Sequence, residues 1–196
     1  VIVTDDAFGN AEVDRSVTDP HIREVLRDRA IVPVVTGFVA AAADGSSTTL
    51  GRGGSDYTAT LLGAALDAEV VEIWTDVDGV MSADPRLVPQ AYSLPRLSYT
   101  ELMELSHFGA RVIYPPAVNP ARDAGVPLVI RNTLNPAFPG TWVLPGSMAD
   151  EPTGADVPPA MAVRGISSIN RVALCRLEGA GMVGVPGIAS RLFGAL

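Results

Sequence analysis

The sequence predicts an α/β protein built on a mainly parallel sheet. Apolar, strand-like runs at residues 31–39, 70–75 and 126–131 alternate with stretches of helical periodicity at 21–29, 55–67 and 117–124. Such alternation packs helices onto a largely parallel sheet. A Gly- and Asp-rich loop also follows directly on the run ending at Thr75, which is where open α/β sheets bind ligands.

Composition narrows the function classes. The 196 residues are 47% hydrophobic, enough for a packed core and too many for a disordered chain. The net charge of -8 opposes a nucleic-acid surface, which needs clustered basic residues. No apolar run is long enough for a membrane helix, and no signal peptide is visible. Cys175 is the only cysteine, so a disulfide framework and a cysteine metal site are not expected. These features predict a cytoplasmic protein. All 14 basic residues are arginine, a compositional bias that matters below. The chain starts at Val1-Ile2-Val3 and stops at Ala195-Leu196 on an unfinished pattern, so it is expected to be part of a longer protein and inactive alone.

The elements follow in order. Residues 1–4 read as the end of a strand and 4–10 as a polar turn. Asp19-Pro20 is expected to open a helix over 21–29, with Ile22, Val25 and Leu26 on its apolar face. Residues 31–39 read as a buried strand. Asp44-Gly45-Ser46-Ser47 signals a turn, so 38–50 is expected to be a hairpin. A helix over 55–67 and a strand over 70–75 come next. Ser98 and Glu101 form a capping box for a helix carrying Leu102, Leu105 and Phe108, with Arg111 in the loop after it. A short helix at 117–124, a strand at 126–131 and turns at 132–136 and 139–141 complete the first part. Residues 145–159 are rich in Pro, Gly, Ser and Asp and read as a linker. Beyond it, 172–177 alternates like a strand, 179–184 is a glycine-rich turn, and a helix begins at Gly187.

Two stretches carry candidate chemistry. In Leu50-Gly51-Arg52-Gly53-Gly54-Ser55-Asp56-Tyr57-Thr58 a glycine loop feeds a helix N-terminus. Ser55 or Asp56 is expected to cap that helix. The free N–H groups and the dipole favour an anion. Arg52 offers a fork for a carboxylate or phosphate, and Asp56 suits an ammonium, so the pair fits an amino acid. By itself the stretch fits equally well a plain helix start with a surface Arg–Asp pair. The second stretch runs from Thr75 and Asp76 through Asp78, Gly79 and Met81 to Asp84 and Arg86. Its aspartates lack the spacing and closing glutamate of a calcium loop.

Together with Thr36-Gly37-Phe38 and the string from Met103 to Val112, these stretches resemble, in order and spacing, the aspartate kinases of the amino acid kinase family. The resemblance covers nearly the whole chain. It implies a three-layer kinase fold whose C-terminal, nucleotide-binding part occupies residues 1–144, a linker at 145–162, and the start of an ACT regulatory domain at 163–196. The last part resembles forms fused to homoserine dehydrogenase and threonine-sensitive forms. The implied reaction is ATP-dependent phosphorylation of the L-aspartate side chain, giving 4-phospho-L-aspartate, the first step toward lysine, threonine and methionine. The implied aspartate contacts are Phe38, Arg52, Ser55 and Asp56. The nucleotide contacts are Thr75, Asp76, Asp84, Arg86, Arg111 and Val112, with Asp56 and Arg111 catalytic. The resemblance also implies Mg2+ carried on ATP with no protein ligand evident, a threonine or lysine effector at the ACT region, and a homo-oligomer. Three departures stand out. The family's N-terminal Lys-Phe-Gly-Gly motif is missing, its lysine in Phe-Gly-Ala-Lys is Arg111, and its usual tyrosine near the nucleotide is Met81. The first two favour an alternative, a non-catalytic amino-acid-sensing subunit or pseudokinase.

Overall fold

The computed structural model describes residues 1–9, 11–28, 30–107, 112–146, 163–169, 172 and 187–194. The expected α/β architecture is present as two sheets. In the smaller one, β1 (Val3–Thr4) pairs parallel with β2 (Val39–Ala42), which pairs antiparallel with β3 (Ser47–Thr49). The larger has the order β4 (Val71–Thr75), β6 (Leu128–Asn132), β7 (Thr141–Leu144), β5 (Arg96–Ser98). β4 and β6 run parallel, as do β5 and β7, but β6 and β7 are antiparallel. The sheet is mixed because only a short turn separates β6 from β7, and a parallel return needs a longer crossover. Gly140 makes that turn at φ +79, where a Cβ would lie 2.1 Å from the Ile130 carbonyl oxygen.

Helices α1 (Arg15–Val25), α2 (Gly54–Ala65), α3 (Tyr99–His107) and α4 (Asn119–Ala124) accompany the sheets, and α5 (Ile188–Phe193) comes late in the chain. The main core joins Val71, Ile73, Leu97, Leu102, Leu128 and Val143. A smaller one joins Ile2, Ala40, Leu50 and Leu61. α2 contributes Leu61 to the second and approaches the first closely: a Cβ on Gly63 would lie 2.2 Å from Val71 Cγ2.

Several elements depart from the sequence-based expectations. α1 starts at Arg15, not His21, because the Asp14 carboxylate accepts from the Ser16 N–H at 2.9 Å and caps it there; Pro20 falls inside the helix. Residues 31–38 are not a buried strand: Val32 and Val34 are 92% and 98% exposed, and β2 begins only at Val39. The partners of β2 within the described residues reach no further back than that register, and Pro33 offers no N–H to a ladder. Strands β5 and β7 carry no strand pattern in the sequence reading, and the short helix at 117–124 is a 3-10 turn (Pro115–Val118) followed by α4. The hairpin, β4, β6 and the Ser98–Glu101 capping box are as expected; Ser98 N–H donates to Glu101 Oε2 at 2.7 Å and Glu101 N–H to Ser98 Oγ at 3.2 Å. The expected strand at 172–177, the glycine-rich turn at 179–184 and most of the linker lie outside the described residues, as do Phe108 and Arg111.

Candidate functional site

The glycine loop is shaped by positions where a side chain would collide. Gly51 and Gly53 have φ +67 and +68. A Cβ on Gly53 would stand 2.6 Å from Tyr114 Cβ, and one on Gly54 would stand 2.8 Å from Phe38 Cδ2. Gly53 itself is the N-cap of α2, with no side-chain cap bond. The expected cap by Ser55 or Asp56 is therefore corrected: the helix starts one residue earlier, leaving both in its first turn. Asp56 is half-buried, and desolvation raises its carboxyl pKa above the ordinary value.

Phe38 sits at φ +74, a strained conformation for a bulky residue. Its N–H donates to Thr58 Oγ1 at 3.1 Å and its carbonyl accepts from the Leu50 N–H at 3.0 Å. Thr58 Oγ1 donates in turn to the Gly54 carbonyl at 2.8 Å, so the Gly37-Phe38 turn is fastened to the start of α2. Phe38 and Ser55 are thereby neighbours of the glycine loop. Arg52 is exposed and stacks 6.0 Å from the Tyr114 ring centre. It lines a cavity of about 450 Å³ with Asp5, Glu12, Arg15, Tyr57 and Tyr114. Phe38, Ser55 and Asp56 are not walls of that cavity, so the four expected aspartate contacts surround one helix start without lining one pocket.

The second cluster forms at the C-terminal end of β4. A cavity of about 280 Å³ is lined by Thr75, Asp76, Met81, Asp84, Arg86 and Val112, among others. It gathers every described residue that the sequence reading assigned to the nucleotide. Thr75 Oγ1 donates to Asp76 Oδ1 at 3.3 Å. Arg86 holds Asp84 through Nε at 3.0 Å and Nη2 at 2.7 Å, which keeps the Asp84 carboxyl below its ordinary pKa.

The loop between Asp76 and Met81 is fixed by residues that sequence reasoning treated only as turns. Val80 N–H donates to the buried Thr141 Oγ1 at 2.8 Å, and that hydroxyl donates to the Leu94 carbonyl at 2.6 Å. Asn132 Nδ2 and Asn135 Nδ2 donate to Asp78 Oδ1 at 2.9 and 3.1 Å. Gly79, at φ +116, presses against Thr141: a Cβ there would lie 2.3 Å from Thr141 Oγ1. The signal available in the sequence was the polar Asn132-Thr133-Leu134-Asn135 string directly after a strand.

One short piece of chain joins the two clusters. Val112 lines the cavity after β4, and Tyr114 lines the cavity beside Arg52 while packing on Gly53. Two residues span at most about 7 Å, so the two sites have neighbouring walls. Among the described residues no group of three or more His, Cys, Asp or Glu could hold a metal by itself. Magnesium fits such a site differently, through substrate phosphates and at most one or two carboxylates, and Asp76 offers one. No helix among the described residues is long and apolar enough to cross a membrane.

The family model described as amino acid kinase family matches residues 1–132. The bifunctional aspartokinase/homoserine dehydrogenase of Haemophilus influenzae is 42% identical over 187 residues, which is 95% of this chain and 22% of that protein. Chloroplastic aspartokinase 2 of Arabidopsis thaliana is 43% identical over 147 residues, 72% of this chain and 27% of that one. Among solved structures, E. coli aspartokinase III in complex with aspartate and ADP superposes with a TM-score of 0.69 at 37% identity, covering 74% of this chain and 33% of that one. Clostridium acetobutylicum aspartate kinase gives a TM-score of 0.71 at 35% identity, covering 79% and 34%. The chain thus spans about a fifth to a third of the length of these relatives.

Proposed function

The chain belongs to the amino acid kinase family, and from that premise we propose that it forms the nucleotide-binding part and half of the acceptor site of an aspartate kinase. The observation that carries the reading is the short segment Val112–Tyr114, whose two ends each line one of two neighbouring cavities. It sets a cavity lined by Thr75, Asp76, Asp84 and Arg86 beside the glycine loop that bears Arg52. Direct transfer requires a phosphoryl donor and an amino-acid acceptor to meet across that segment.

The chemistry asks little of the protein beyond placement. The aspartate side chain ionises with a pKa of about 3.9, so it is already a nucleophile at neutral pH and needs no general base. One of its oxygens bonds to the γ-phosphorus as the bond to the β–γ bridging oxygen breaks, leaving ADP and 4-phospho-L-aspartate. Arg52 binds the α-carboxylate as a bidentate fork, and Asp56 faces the ammonium. Ser55, in the first turn of α2, and Phe38, fastened to that turn through Thr58, complete the acceptor contacts around the helix start, outside the cavity that Arg52 lines. Thr75, Asp76, Arg86 and Val112 hold the nucleotide, and Arg111 meets the phosphates where charge builds up. Magnesium bound with ATP neutralises phosphate charge. The partners are L-aspartate, a threonine or lysine effector acting through residues beyond 162, and further copies of the chain; the compartment is the cytoplasm, or a plastid in a plant.

A crossed pair of substitutions in the active, full-length protein tests the assignment. Arg52→Lys replaces a fork by a point charge and should raise the aspartate KM about tenfold, with the ATP KM nearly unchanged. Arg86→Ala should do the reverse. A raised ATP KM in Arg52→Lys with an unaltered aspartate KM would move Arg52 to the nucleotide side and sink the reading. The competing pseudokinase reading rests on arginine at position 111. Because all basic residues here are arginine, Arg111 reflects composition, and Arg111→Lys should retain activity. An inert wild type switched on by that change would favour the pseudokinase.

A further inference from the structure

We propose that residues 163–169 form a wall of the nucleotide cavity, with Ile166 as the apolar surface against which the base lies. The inference rests on the assignment of that cavity to a nucleotide. The segment lies past the family match at 1–132, in the stretch whose resemblance is to the start of a regulatory domain. Yet Ile166, Ser167 and Ser168 line the same cavity as Thr75, Asp76 and Arg86.

Three separate ties hold the segment there. The Ile166 N–H donates to the Ser82 carbonyl at 2.8 Å, within the loop after β4. Arg164 Nε pairs with Glu101 Oε1 at 3.2 Å, while Glu101 Oε2 caps α3. Gly165 passes so close that a Cβ would stand 3.1 Å from Leu105 Cδ2 and 3.3 Å from the Ser82 oxygen. The strap is therefore fastened to both elements that border the cavity, the loop and α3.

Its side chains have the chemistry of a base-binding wall. Ile166 is 67% exposed although Leu105, Met81 and Val112 line the same cavity. An apolar side chain in that place gains by covering a flat apolar surface. The hydroxyls of Ser167 and Ser168 can each donate or accept, which suits the mixed edge of a base. Asp76, Asp84 and Arg86 supply the polar remainder. A nucleotide has this same division between a flat, weakly polar ring system and a charged tail.

The test uses the active, full-length protein and reads MgADP affinity by titration together with both KM values. Ile166→Asp, at an exposed position, should weaken MgADP binding and raise the ATP KM about tenfold, the equivalent of losing part of one apolar burial. Gly165→Val should act the same way by lifting the strap off Leu105 and Ser82. The aspartate KM should stay within about twofold in both. Arg86→Ala is the control for the underlying assignment. If Arg86→Ala weakens MgADP but Ile166→Asp and Gly165→Val do not, the wall is wrong and the nucleotide cavity stands. If none of the three changes MgADP affinity, the cavity assignment fails and the wall falls with it. Equal losses in the ATP and aspartate KM values for Ile166→Asp would mark a merely structural role and would also overturn the proposal.

Discussion

The two halves of the candidate site are built by opposite means. The side proposed for the acceptor is shaped by missing side chains: Gly53 and Gly54 let Tyr114 and Phe38 close in on the start of α2. The side proposed for the nucleotide is shaped by side chains from distant positions: buried Thr141 and Asn132, with Asn135, grip the backbone and Asp78 of the loop after β4. The glycines of the first are written in one contiguous string, although Tyr114, which packs on them, comes from more than fifty positions away. The second needs residues more than fifty positions apart and exists only once β4, β6 and β7 are side by side.

The largest expected effect comes from adding one methyl group to each half. Gly79→Ala forces a left-handed alanine against Thr141 Oγ1, which is itself fixed by two hydrogen bonds. Backbone strain and overpacking together should cost about 3 kcal/mol, read by chemical denaturation, with nucleotide binding lost as well. Gly53→Ala meets Tyr114 Cβ, a contact that only a shift of the backbone there relieves; Tyr114 lies outside any strand at an exposed position, so the cost should be smaller. Equal costs would mean that the two loops are equally rigid and the contrast is false.

The hydroxyl pair Thr141 and Thr58 sharpens the contrast. Thr141→Val leaves the buried Val80 N–H and one acceptor site of the Leu94 carbonyl without their partner, and should cost about 2 kcal/mol. Thr58→Val strands only the Phe38 N–H, because the Gly54 carbonyl keeps its place in the helix ladder; about 1 kcal/mol is expected. Thr141→Val should raise the ATP KM and Thr58→Val the aspartate KM. A swap of those two effects would break the division of the site.

The smallest effect concerns Asp56. Burial raises its folded pKa above the unfolded value, so the folded state holds its proton more tightly. Stability from this group is complete below the unfolded pKa and falls as pH rises through the folded one. Asp56→Asn should therefore raise Tm slightly at pH 7, leave it unchanged well below the ordinary carboxyl pKa, and abolish phosphoryl transfer. A lower Tm at pH 7 would show that Asp56 stabilises the free protein and is not held there for a ligand.

Residues 31–39 and the capping box at Ser98–Glu101 mark the limit of sequence reading. Both are strong local patterns, yet only the capping box has the predicted structure, because its hydrogen bonds close within four residues. The apolar run around Val32 and Val34 depends on a neighbouring strand, and none of the described strands reaches it. The same rule governs α1, where Asp14 captures the helix start ahead of Asp19-Pro20 by one more favourable cap.

By itself the sequence determined the alternation of strands and helices, the glycine loop before α2 and the loop after β4 with Thr75, Asp76, Asp84 and Arg86. These follow from periodicity, caps and backbone freedom, which act over a few residues. Only the tertiary structure decided that β7 runs antiparallel to β6, that Thr141 and Asn132 hold the loop after β4, that Arg52 and Phe38 face different surroundings, and that Ile166 reaches the cavity from a distant part of the chain. Each of those joins residues far apart in sequence. Their pairing is settled by which backbone groups and apolar faces can be satisfied together in three dimensions, and no local pattern encodes that.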